Sequence, residues 1–330
     1  PAESPVADAA QANDTEQVRT LLRQGADANA AQTDGLTALH WAALNGNAQM
    51  VDLLLYAGAT VEPLTRVGGY APLHRAARSG HASVVEKLIA GGAEVDAWTT
   101  TGVTALHFAA AGDFGETVRL LTAAGADVNA GDGFQHRTPL VFAAHANAAR
   151  AIEALLAAGA DPSIATELKN YVARSEVDSD ERARRARIRA AEAGDEPVSN
   201  DNADRFQPPT PPDTTAAEPD GDEEEEEKPE EKKPEEPQIR ALSSTEQIGV
   251  QGGFTPLHYA ARQGNLEAAE LLLDGGADID QPSGGDQSSP LLVATINGNY
   301  DLAMRLLERG ADPNLVSDDG VGPLFATLNI

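Results

Sequence analysis

The sequence predicts an all-α fold, a solenoid of stacked helix-turn-helix units interrupted by a partly helical, largely disordered acidic insertion. Two short phrases recur along the chain at steps of 33 or 34 residues, and a single step of 117 breaks both series. The hydrophobic fraction is 41%, with only 4% aromatic residues, which favours thin layers of small helices over one thick core.

The first phrase forms the first helix of each unit. It reads TALHWAALNGN at 37 to 47 and returns as APLHRAARSGH, TALHFAAAGDF, TPLVFAAHANA and TPLHYAARQGN. A proline such as Pro72 has a fixed φ that suits a first helical turn. Alanine pairs such as Ala42 and Ala43 let neighbouring helices approach closely. A glycine such as Gly46 then closes the helix, because a positive φ costs glycine least.

The second phrase, usually GAD, closes the second helix of each unit. Apolar residues at helical spacing precede it, as in Val51, Leu54 and Leu55, so this helix buries one face. The phrase begins at Gly25, Gly58, Gly92, Gly125, Gly159, Gly276 and Gly310. The two phrases therefore keep the same period independently of each other.

Together the two phrases resemble the ankyrin repeat, with a match that covers about 240 residues of the chain. The resemblance implies two-helix units stacked side by side, with hairpin-like loops that project at one edge. Residues 5 to 30 are expected to form an N-terminal cap. At the other end, GPLFATLNI begins a unit without a second helix, so either the natural chain continues past Ile330 or a partner covers the open face.

The predicted organisation has four parts: a cap plus repeats over 1–165, a helical insertion over 166–194, an acidic Pro/Glu-rich disordered linker over 195–248, and further repeats over 249–330, the last incomplete. Strong helix formers that close on a glycine indicate one or two helices in the second part. Residues 195–237 carry a net charge of −13 out of −28 for the chain. Such a composition buries too little apolar surface to offset chain entropy.

A run of five arginines between residues 182 and 189 is the only dense basic patch of the sequence. It fits a solvated helix face with ion pairs to the acidic linker, or a docking helix for an acidic partner. Nucleic-acid binding fits less well, because the patch has no interleaved aromatic residues and adjoins an acidic tract.

Several functions are excluded by composition. The absence of cysteine excludes disulfides, thiolate zinc sites and thiol nucleophiles. The net charge of −28 argues against nucleic acid as a partner, and no apolar run is long enough for membrane insertion. No catalytic triad, metal-protease or phosphate-loop motif is present. We therefore predict that the chain is not an enzyme and has no catalytic residue, metal ligand or cofactor.

Four histidines stand at the fourth position of the first phrase: His40, His74, His107 and His258. The resemblance implies that each bonds to backbone in a connecting turn and ties one repeat to the next. At a separation of about 10 Å along the stack, they are too far apart to share one metal ion. Their predicted role is structural.

The position after the histidine is predicted to be functional. The copies carry Trp41, Arg75, Phe108, Phe142, Tyr259, Val293 and Ala326 there. The resemblance places this position in a concave groove, where aromatic side chains are effective anchors for a partner. Alternatively, the aromatic residues pack partly against the next repeat. Adding aromatic residues at the loop tips, the predicted protein-binding residues are Trp41, Tyr70, Arg75, Phe108, Phe134, Phe142, Phe254 and Tyr259.

The function predicted from these features is a non-catalytic protein-protein interaction scaffold that binds a partner protein through the groove and the loop tips. The alternative is an accessory subunit of a larger enzyme or redox complex, with additional domains outside these residues. An alanine-rich, cysteine-free chain that starts at Pro1 favours an exported bacterial protein, periplasmic or secreted, over a cytoplasmic one.

Overall fold

The computed structural model describes residues 4–170, 181, 184–185 and 250–328. It divides into two compact units, one made of Pro1–Lys169 with Val250–Ile330 and the other of Asn170–Gly249. In the second unit, Glu181, Arg184 and Arg185 are helical, and Arg185 pairs with Glu181 at 2.9 Å. Most of the predicted helical insertion and all of the predicted acidic linker lie outside the described residues.

The first unit is built from pairs of short helices, as the sequence predicts. Each first helix packs on the first helix of the next pair, and each second helix packs on the next second helix. The first helices, called inner helices below, are α1 Pro5–Gln11, α3 Ala38–Leu44, α5 Pro72–Arg78, α7 Ala105–Ala111, α9 Pro139–His145, α11 Pro256–Gln263, α13 Pro290–Ile296 and α15 Pro323–Leu328. The second helices, called outer helices, are α2 Thr15–Arg23, α4 Ala48–Tyr56, α6 Ala82–Ala90, α8 Gly115–Ala123, α10 Ala149–Ala157, α12 Leu266–Asp274 and α14 Tyr300–Glu308.

One continuous hydrophobic cluster runs between the two layers of helices. In α3 to α13 the leucine of the phrase, such as Leu39, Leu106 or Leu257, is buried, and so are the alanine pairs of α3 to α11; Leu324 of the last phrase is 75% exposed. Burying one leucine side chain stabilises a fold by about 1.5–3 kcal/mol. Because the alanines occupy little volume, the inner helices lie close together.

The glycines predicted to close the helices adopt positive φ. Gly46, which follows an inner helix, has a φ of 69°, and the GAD glycines, which follow the outer helices, have φ values between 85° and 98°. Three inner helices, α1, α7 and α9, lack a glycine at this point. There Asn13, Asp113 and Asn147 take the left-handed conformation instead, with φ of 57°, 57° and 53°. Aspartate and asparagine are the residues that tolerate it best after glycine.

The four phrase histidines tie each unit to the next hairpin, which confirms their predicted structural role. The Nε2 atom of His40 lies 2.8 Å from the carbonyl oxygen of Tyr70, while its Nδ1 accepts from the backbone N–H of Thr37 at 3.1 Å. A neutral imidazole protonated on Nε2 satisfies both bonds. The equivalent carbonyl bonds are His107 to Arg137 and His258 to Ser288, while His74 bonds to the carbonyl of Ala97, earlier in its hairpin.

The hairpin tips lie side by side at one edge and are joined by backbone hydrogen bonds. The N–H of Arg66 donates to the carbonyl of Asp34 at 2.9 Å, and that of Thr100 to Gly68 at 3.0 Å. The series continues from Gly133 to Thr101, from Glu167 to Gln135, from Gly284 to Gly253 and from Asp318 to Asp286. The tips therefore form a ladder that runs along the whole set of repeats.

The insertion starts and ends within a single hairpin. The N–H of Thr166 donates to the carbonyl of Phe254 at 3.0 Å, and this bond is equivalent to those from Thr65 to Tyr70 and from Asp132 to Arg137. Beyond it, strand β1 (Lys169–Asn170) pairs with strand β2 (Val250–Gln251). The long step in the repeat series is thus one hairpin whose tip is replaced by the insertion.

At its start, the insertion differs from the sequence prediction. Residues 166–170 were assigned to a helical segment, but they are extended and end in β1. The reason is pairing across the hairpin: Thr166 bonds to Phe254, and Lys169–Asn170 pair with Val250–Gln251. Strand pairing requires an extended backbone, which a helix starting here could not have.

The repeats on either side of the insertion pack directly on one another. Helix α9 contacts α11, and α10 contacts α12. The side-chain amide of Asn265 donates to the carbonyl of Ala144 at 2.8 Å, and the N–H of Ala268 to the Oδ1 of Asn147 at 3.1 Å. The stack therefore continues across the point where the chain leaves it.

Excising residues 169–251 so that Leu168 joins Gly252 is expected to preserve or raise stability. The hairpin would then hold four residues between Thr166 and Phe254, as between Thr65 and Tyr70, instead of 87. Each doubling of a flexible loop costs about 0.6 kcal/mol, so the gain reaches up to about 2.5 kcal/mol. Chemical denaturation measures it. A loss of more than about 1 kcal/mol would show that the insertion supports the stack.

Replacing Gly102 by alanine is expected to destabilise the fold more than replacing Gly92. Both glycines have positive φ, so both variants carry the same backbone penalty of about 1 kcal/mol. A Cβ on Gly102 would also collide with the backbone of Gly133 in the next tip, whereas a Cβ on Gly92 meets nothing within 4 Å. Overpacking adds about 1–3 kcal/mol. If the two variants lost equal stability in thermal unfolding, the neighbouring tips would be free to separate, which would contradict the prediction.

Candidate functional site

The exposed positions of the inner helices, with the hairpin residues beside them, form one surface, called the inner groove here. Its central positions are the half-buried side chains of Trp41, Arg75, Phe108, Phe142 and Tyr259. The equivalent Val293 and Ala326 are buried, with 5% and 7% exposure. The aromatic rings are therefore partly packed, as the alternative interpretation of the sequence anticipated, rather than fully presented to solvent.

Trp41 lies at the N-terminal end of the inner groove. Its indole N–H donates to the Oε1 of Gln32 in the adjoining hairpin at 2.9 Å. The side-chain amide of Gln32 in turn donates to the Oδ1 of Asp8 in α1 at 2.7 Å. This chain of bonds fixes the orientation of the indole relative to the first helix pair.

A first cluster of rings brings three of the predicted residues together. The Tyr70 and Phe108 rings lie 5.9 Å apart, and both meet the buried His74 ring edge-on. Arg75 places its guanidinium 4.7 Å from the centre of the Tyr70 ring, and Arg78 lies 5.9 Å from that of Phe108. Arginine over an aromatic face is an attractive pairing, so two cations are held on this cluster.

A second cluster forms around Phe142 and Phe134. The guanidinium of Arg137 lies 4.8 Å from the Phe142 ring and 5.4 Å from the Phe134 ring. The ammonium of Lys169 stands 3.8 Å from the Phe134 ring, which is 54% exposed. Asp132 holds Arg137 in place, because its Oδ2 accepts from both the Nε and the Nη2 of Arg137 at 2.9 and 2.6 Å. This cluster joins a hairpin tip to the inner-helix face.

A third cluster follows on the far side of the insertion. Phe254 stacks on His258 at 5.2 Å and meets Tyr259 edge-on at 5.9 Å. His145 of the preceding inner helix lies 6.2 Å from the Tyr259 ring. Seven of the eight predicted residues thus fall into three ring clusters along the inner groove, and Trp41 lies apart from them.

The inner groove differs in charge from the rest of the first unit. The inner helices from α3 to α13 contain no aspartate or glutamate and three arginines, Arg75, Arg78 and Arg262. The outer helices carry both signs, and several of their charges pair, such as Lys87 with Asp52 at 2.7 Å. In a chain with a net charge of −28, the inner helices of this face are locally cationic, while the hairpins beside them carry carboxylates such as Asp34 and Asp286.

Burial sets the protonation of the groups below the inner groove. Desolvation lowers the pKa of His40, His107 and His258 to about 4 and also lowers that of His74, so these rings are neutral near pH 7. Burial would raise the pKa of Asp132, but the bonds it accepts from Arg137 and Gln135 outweigh this and lower the pKa. The lasting positive charges of the groove are therefore its arginines and Lys169.

Asp132 and Gly133, which superficially resemble a calcium loop, form a turn. The Asp132 carboxylate accepts from the N–H groups of Gln135 and Arg137 and from the Arg137 side chain. Across the described ranges, no group of three histidine, aspartate or glutamate side chains is placed to hold a metal ion. In the same part of the chain, no helix has the length and apolar character needed to cross a bilayer.

Four cations of the inner groove were missed by sequence reasoning: Arg78, Arg137, Lys169 and Arg262. A signal existed for Arg78, because it follows Arg75 by three residues on a helix and so shares its face. No such signal existed for Lys169, because the sequence predicts a helix for its segment. Trp98, which is 68% exposed in a hairpin, was also not singled out as a candidate.

Comparison with known protein families gives one match. The family model for ankyrin repeats in three copies matches residues 6–98, 87–166 and 236–317, which together exceed half of the chain. The matched ranges contain every copy of the two repeated phrases except the last copy of the first phrase, which begins at Gly322.

Curated proteins similar to this chain match over short stretches. Protein phosphatase 1 regulatory subunit 27 of Homo sapiens is 41% identical over 68 residues, which are 21% of this chain and 44% of that protein. Probable E3 ubiquitin-protein ligase XBOS31 of Oryza sativa subsp. japonica is 44% identical over 59 residues, 18% of this chain and 13% of that protein. Palmitoyltransferase ZDHHC17 of Rattus norvegicus is 35% identical over 66 residues, 20% and 11% of the two. The chain spans less than half the length of each relative.

Proposed function

This chain belongs to the ankyrin-repeat family, and from that premise we propose that it is a non-catalytic scaffold that binds a partner protein through the inner groove and the neighbouring hairpin tips. Families of stacked repeats commonly bind along the extended surface that their repeats create. The name of the phosphatase regulatory subunit, which denotes a regulatory rather than a catalytic component, agrees with this proposal.

The observation that carries the proposal is the set of ring clusters on one face. Aromatic and arginine side chains are the residues most enriched among those that dominate binding energy at protein interfaces. Here they recur in successive repeats, at Phe108, Phe142 and Tyr259, with Arg75 and Arg137 beside them. A side chain already held by its neighbours loses little conformational freedom when a partner binds.

Removing the aromatic anchors is expected to abolish binding to the partner. The triple variant Trp41→Ala, Phe108→Ala, Phe142→Ala should weaken capture of a partner from the native source by at least about 100-fold, since anchor residues contribute about 2 kcal/mol or more each. Quantitative mass spectrometry of proteins captured by wild-type and variant chains measures the loss. A matched control is Tyr56→Ala, which removes an outer-helix ring that is 94% exposed.

Because Trp41 and Phe108 also pack against the core, a variant of an exposed groove ring accompanies the triple variant. Phe134 is 54% exposed, and replacing it by alanine should reduce capture while circular dichroism and the thermal midpoint stay unchanged. Equal capture by wild type, Phe134→Ala and the folded triple variant would contradict the proposal and place binding on another surface.

A second candidate function is an accessory role in a larger enzyme assembly. Two of the relatives, the ligase and the palmitoyltransferase, are named as enzymes, and the similar stretch is 13% and 11% of their lengths. In such an assembly, a catalytic activity should co-purify with the chain from its native source and be lost on elution. Purification to constant partner composition with no enzyme among the partners would exclude this role.

A further inference from the structure

We infer that the occupant of the inner groove is an acidic segment of a partner protein, bound by the unpaired arginines Arg75, Arg78 and Arg262. This inference rests on the proposed function and adds the chemistry of the partner. It concerns what the groove selects, whereas the proposed function concerns where binding takes place.

The first argument is the separation of charge between the two layers of helices. From α3 to α13, the inner helices hold three arginines and no carboxylate, while nearly all of the helical acids lie on the outer helices. A partner that approaches the inner groove therefore meets cations over aromatic rings. Complementary charges across an interface fix the choice of partner and speed association.

The second argument is that the guanidiniums of these arginines lack carboxylate and hydrogen-bond partners of their own. Among the described residues, no carboxylate pairs with Arg75, Arg78 or Arg262, and none of the three donates a side-chain hydrogen bond. The Nε of Arg75 is buried without any acceptor. Arg137 and Arg150 provide the contrast, because Asp132 and Asp113 neutralise them. Carboxylates of a bound segment would accept from the terminal N–H groups of these guanidiniums, and such charge-assisted bonds are among the stronger hydrogen bonds in proteins.

The third argument concerns orientation. Arg75 rests on the Tyr70 ring at 4.7 Å and Arg78 near the Phe108 ring at 5.9 Å, so the rings hold each guanidinium before a ligand arrives. Adjacent repeats are about 10 Å apart, which an extended peptide covers in about three residues at about 3.3 Å each. A segment with an acidic residue at every second or third position would reach both the arginine pair and Arg262.

The negative net charge of the chain does not oppose this binding at close range. At physiological ionic strength the Debye length is about 8 Å, and a helix is about 10 Å across, so the acids of the outer layer are largely screened from a ligand in the groove. The acids do oppose a long polyanion, which would extend beyond the cations. The groove offers few cations compared with the 6–10 phosphate contacts typical of nucleic-acid binding, and an acidic peptide is therefore favoured.

The test is a titration of the full chain with three labelled probes of 12 residues or nucleotides: a glutamate-rich peptide with one tyrosine, its glutamine counterpart, and a single-stranded oligothymidylate. Fluorescence anisotropy at about 50 and about 300 mM NaCl is the measurement. We expect the glutamate peptide to bind at least about tenfold more tightly than the glutamine peptide, with an affinity that falls at the higher salt concentration.

Two charge-matched variants locate the binding. Arg75→Gln with Arg78→Gln should weaken the glutamate peptide by at least about tenfold, because it removes two charge-assisted contacts. Arg23→Gln with Arg119→Gln removes the same charge from outer helices, where neither arginine pairs with a described carboxylate, and should leave affinity within about twofold. Equal weakening by both variants would overturn the inference, since the attraction would then be non-specific.

The remaining outcomes separate this inference from the proposed function. Equal affinity for the glutamine peptide, or tighter binding of the oligothymidylate that depends on Arg75 and Arg78, would overturn the acidic segment as the occupant. The proposed function has its own readout, the loss of captured partner in the Trp41, Phe108 and Phe142 variants. If that loss occurs while Arg75→Gln with Arg78→Gln captures the partner as well as wild type does, the groove binds a protein but not through acidic residues.

Discussion

Lowering the pH from about 6.5 to about 4 is expected to remove most of the stability of this protein. Burial holds the pKa of His40, His107 and His258 at about 4, whereas histidine in an unfolded chain titrates near 6.5. The unfolded state therefore binds protons first as the pH falls. The stabilisation by these histidines is complete above pH 6.5 and declines between pH 6.5 and pH 4. Below pH 4 their contribution no longer changes with pH.

The magnitude follows from linkage. One pKa unit corresponds to about 1.4 kcal/mol, so each of these histidines accounts for about 3 kcal/mol, and their sum is comparable with the total stability of many domains. Desolvation of the buried rings is the main cause, and one hydrogen bond at each ring acts in the same direction. The Nδ1 atoms accept from backbone N–H groups, as in Thr104 to His107, and a protonated ring cannot accept.

Urea denaturation at intervals between pH 7.5 and 4.5 measures this effect. His107→Gln should lower stability at pH 7.5 and reduce the slope of stability against pH by about 1.4 kcal/mol per unit, which corresponds to one proton. The exposed His136→Asn serves as the control and should change neither quantity, since asparagine also tolerates the positive φ of that position. An unchanged slope in His107→Gln would assign the acid sensitivity to other groups.

Replacing Leu257 by alanine is expected to lower the free energy of unfolding by about 3–4 kcal/mol. Leu257 is fully buried in α11, the first inner helix after the insertion, and removing its side chain leaves a cavity in a close-packed layer. Helix α9 packs on α11 directly, so the loss should extend to repeats before the insertion. Hydrogen exchange of the α9 and α10 amides should accelerate together with that of α11.

The control for this prediction is Leu64→Ala, in a hairpin where the leucine is 58% exposed. A surface substitution of this kind changes stability by less than about 0.5 kcal/mol. If Leu257→Ala left exchange in α9 unchanged, the repeats on the two sides of the insertion would be independent in energy despite their contacts.

The helices of the first unit could be predicted almost completely from the repeated phrases. Proline starts a helix through its fixed φ, glycine ends one through its positive φ, and alanine pairs set a close helix spacing, so each element depends on residues within it. The start of the insertion could not be predicted in this way. Residues 166–170 favour helix locally, but Thr166 bonds to Phe254, which is 88 positions away in sequence.

The candidate site was predictable as a set of positions and not as a set of contacts. Equivalence between repeats pointed to Arg75, Phe108 and Phe142, yet it carried no information about how deeply they are buried. The cations that stand over these rings come from different elements, such as Arg137 from a hairpin and Lys169 from the strand that leaves the stack. Their binding role remains a prediction for the experiments above.

The repeat unit, its period and the location of the interruption follow from the order of residues, because helix start, helix end and amphipathic face are governed by neighbours three or four positions apart. The charge and exposure of the inner groove arise only once the units stack. Histidine-carbonyl bonds such as those of His40 and His107 join residues 30 positions apart, and the unpaired state of Arg75 reflects which carboxylates the packing leaves out of reach. Such relations depend on distances across repeats, which no local pattern contains.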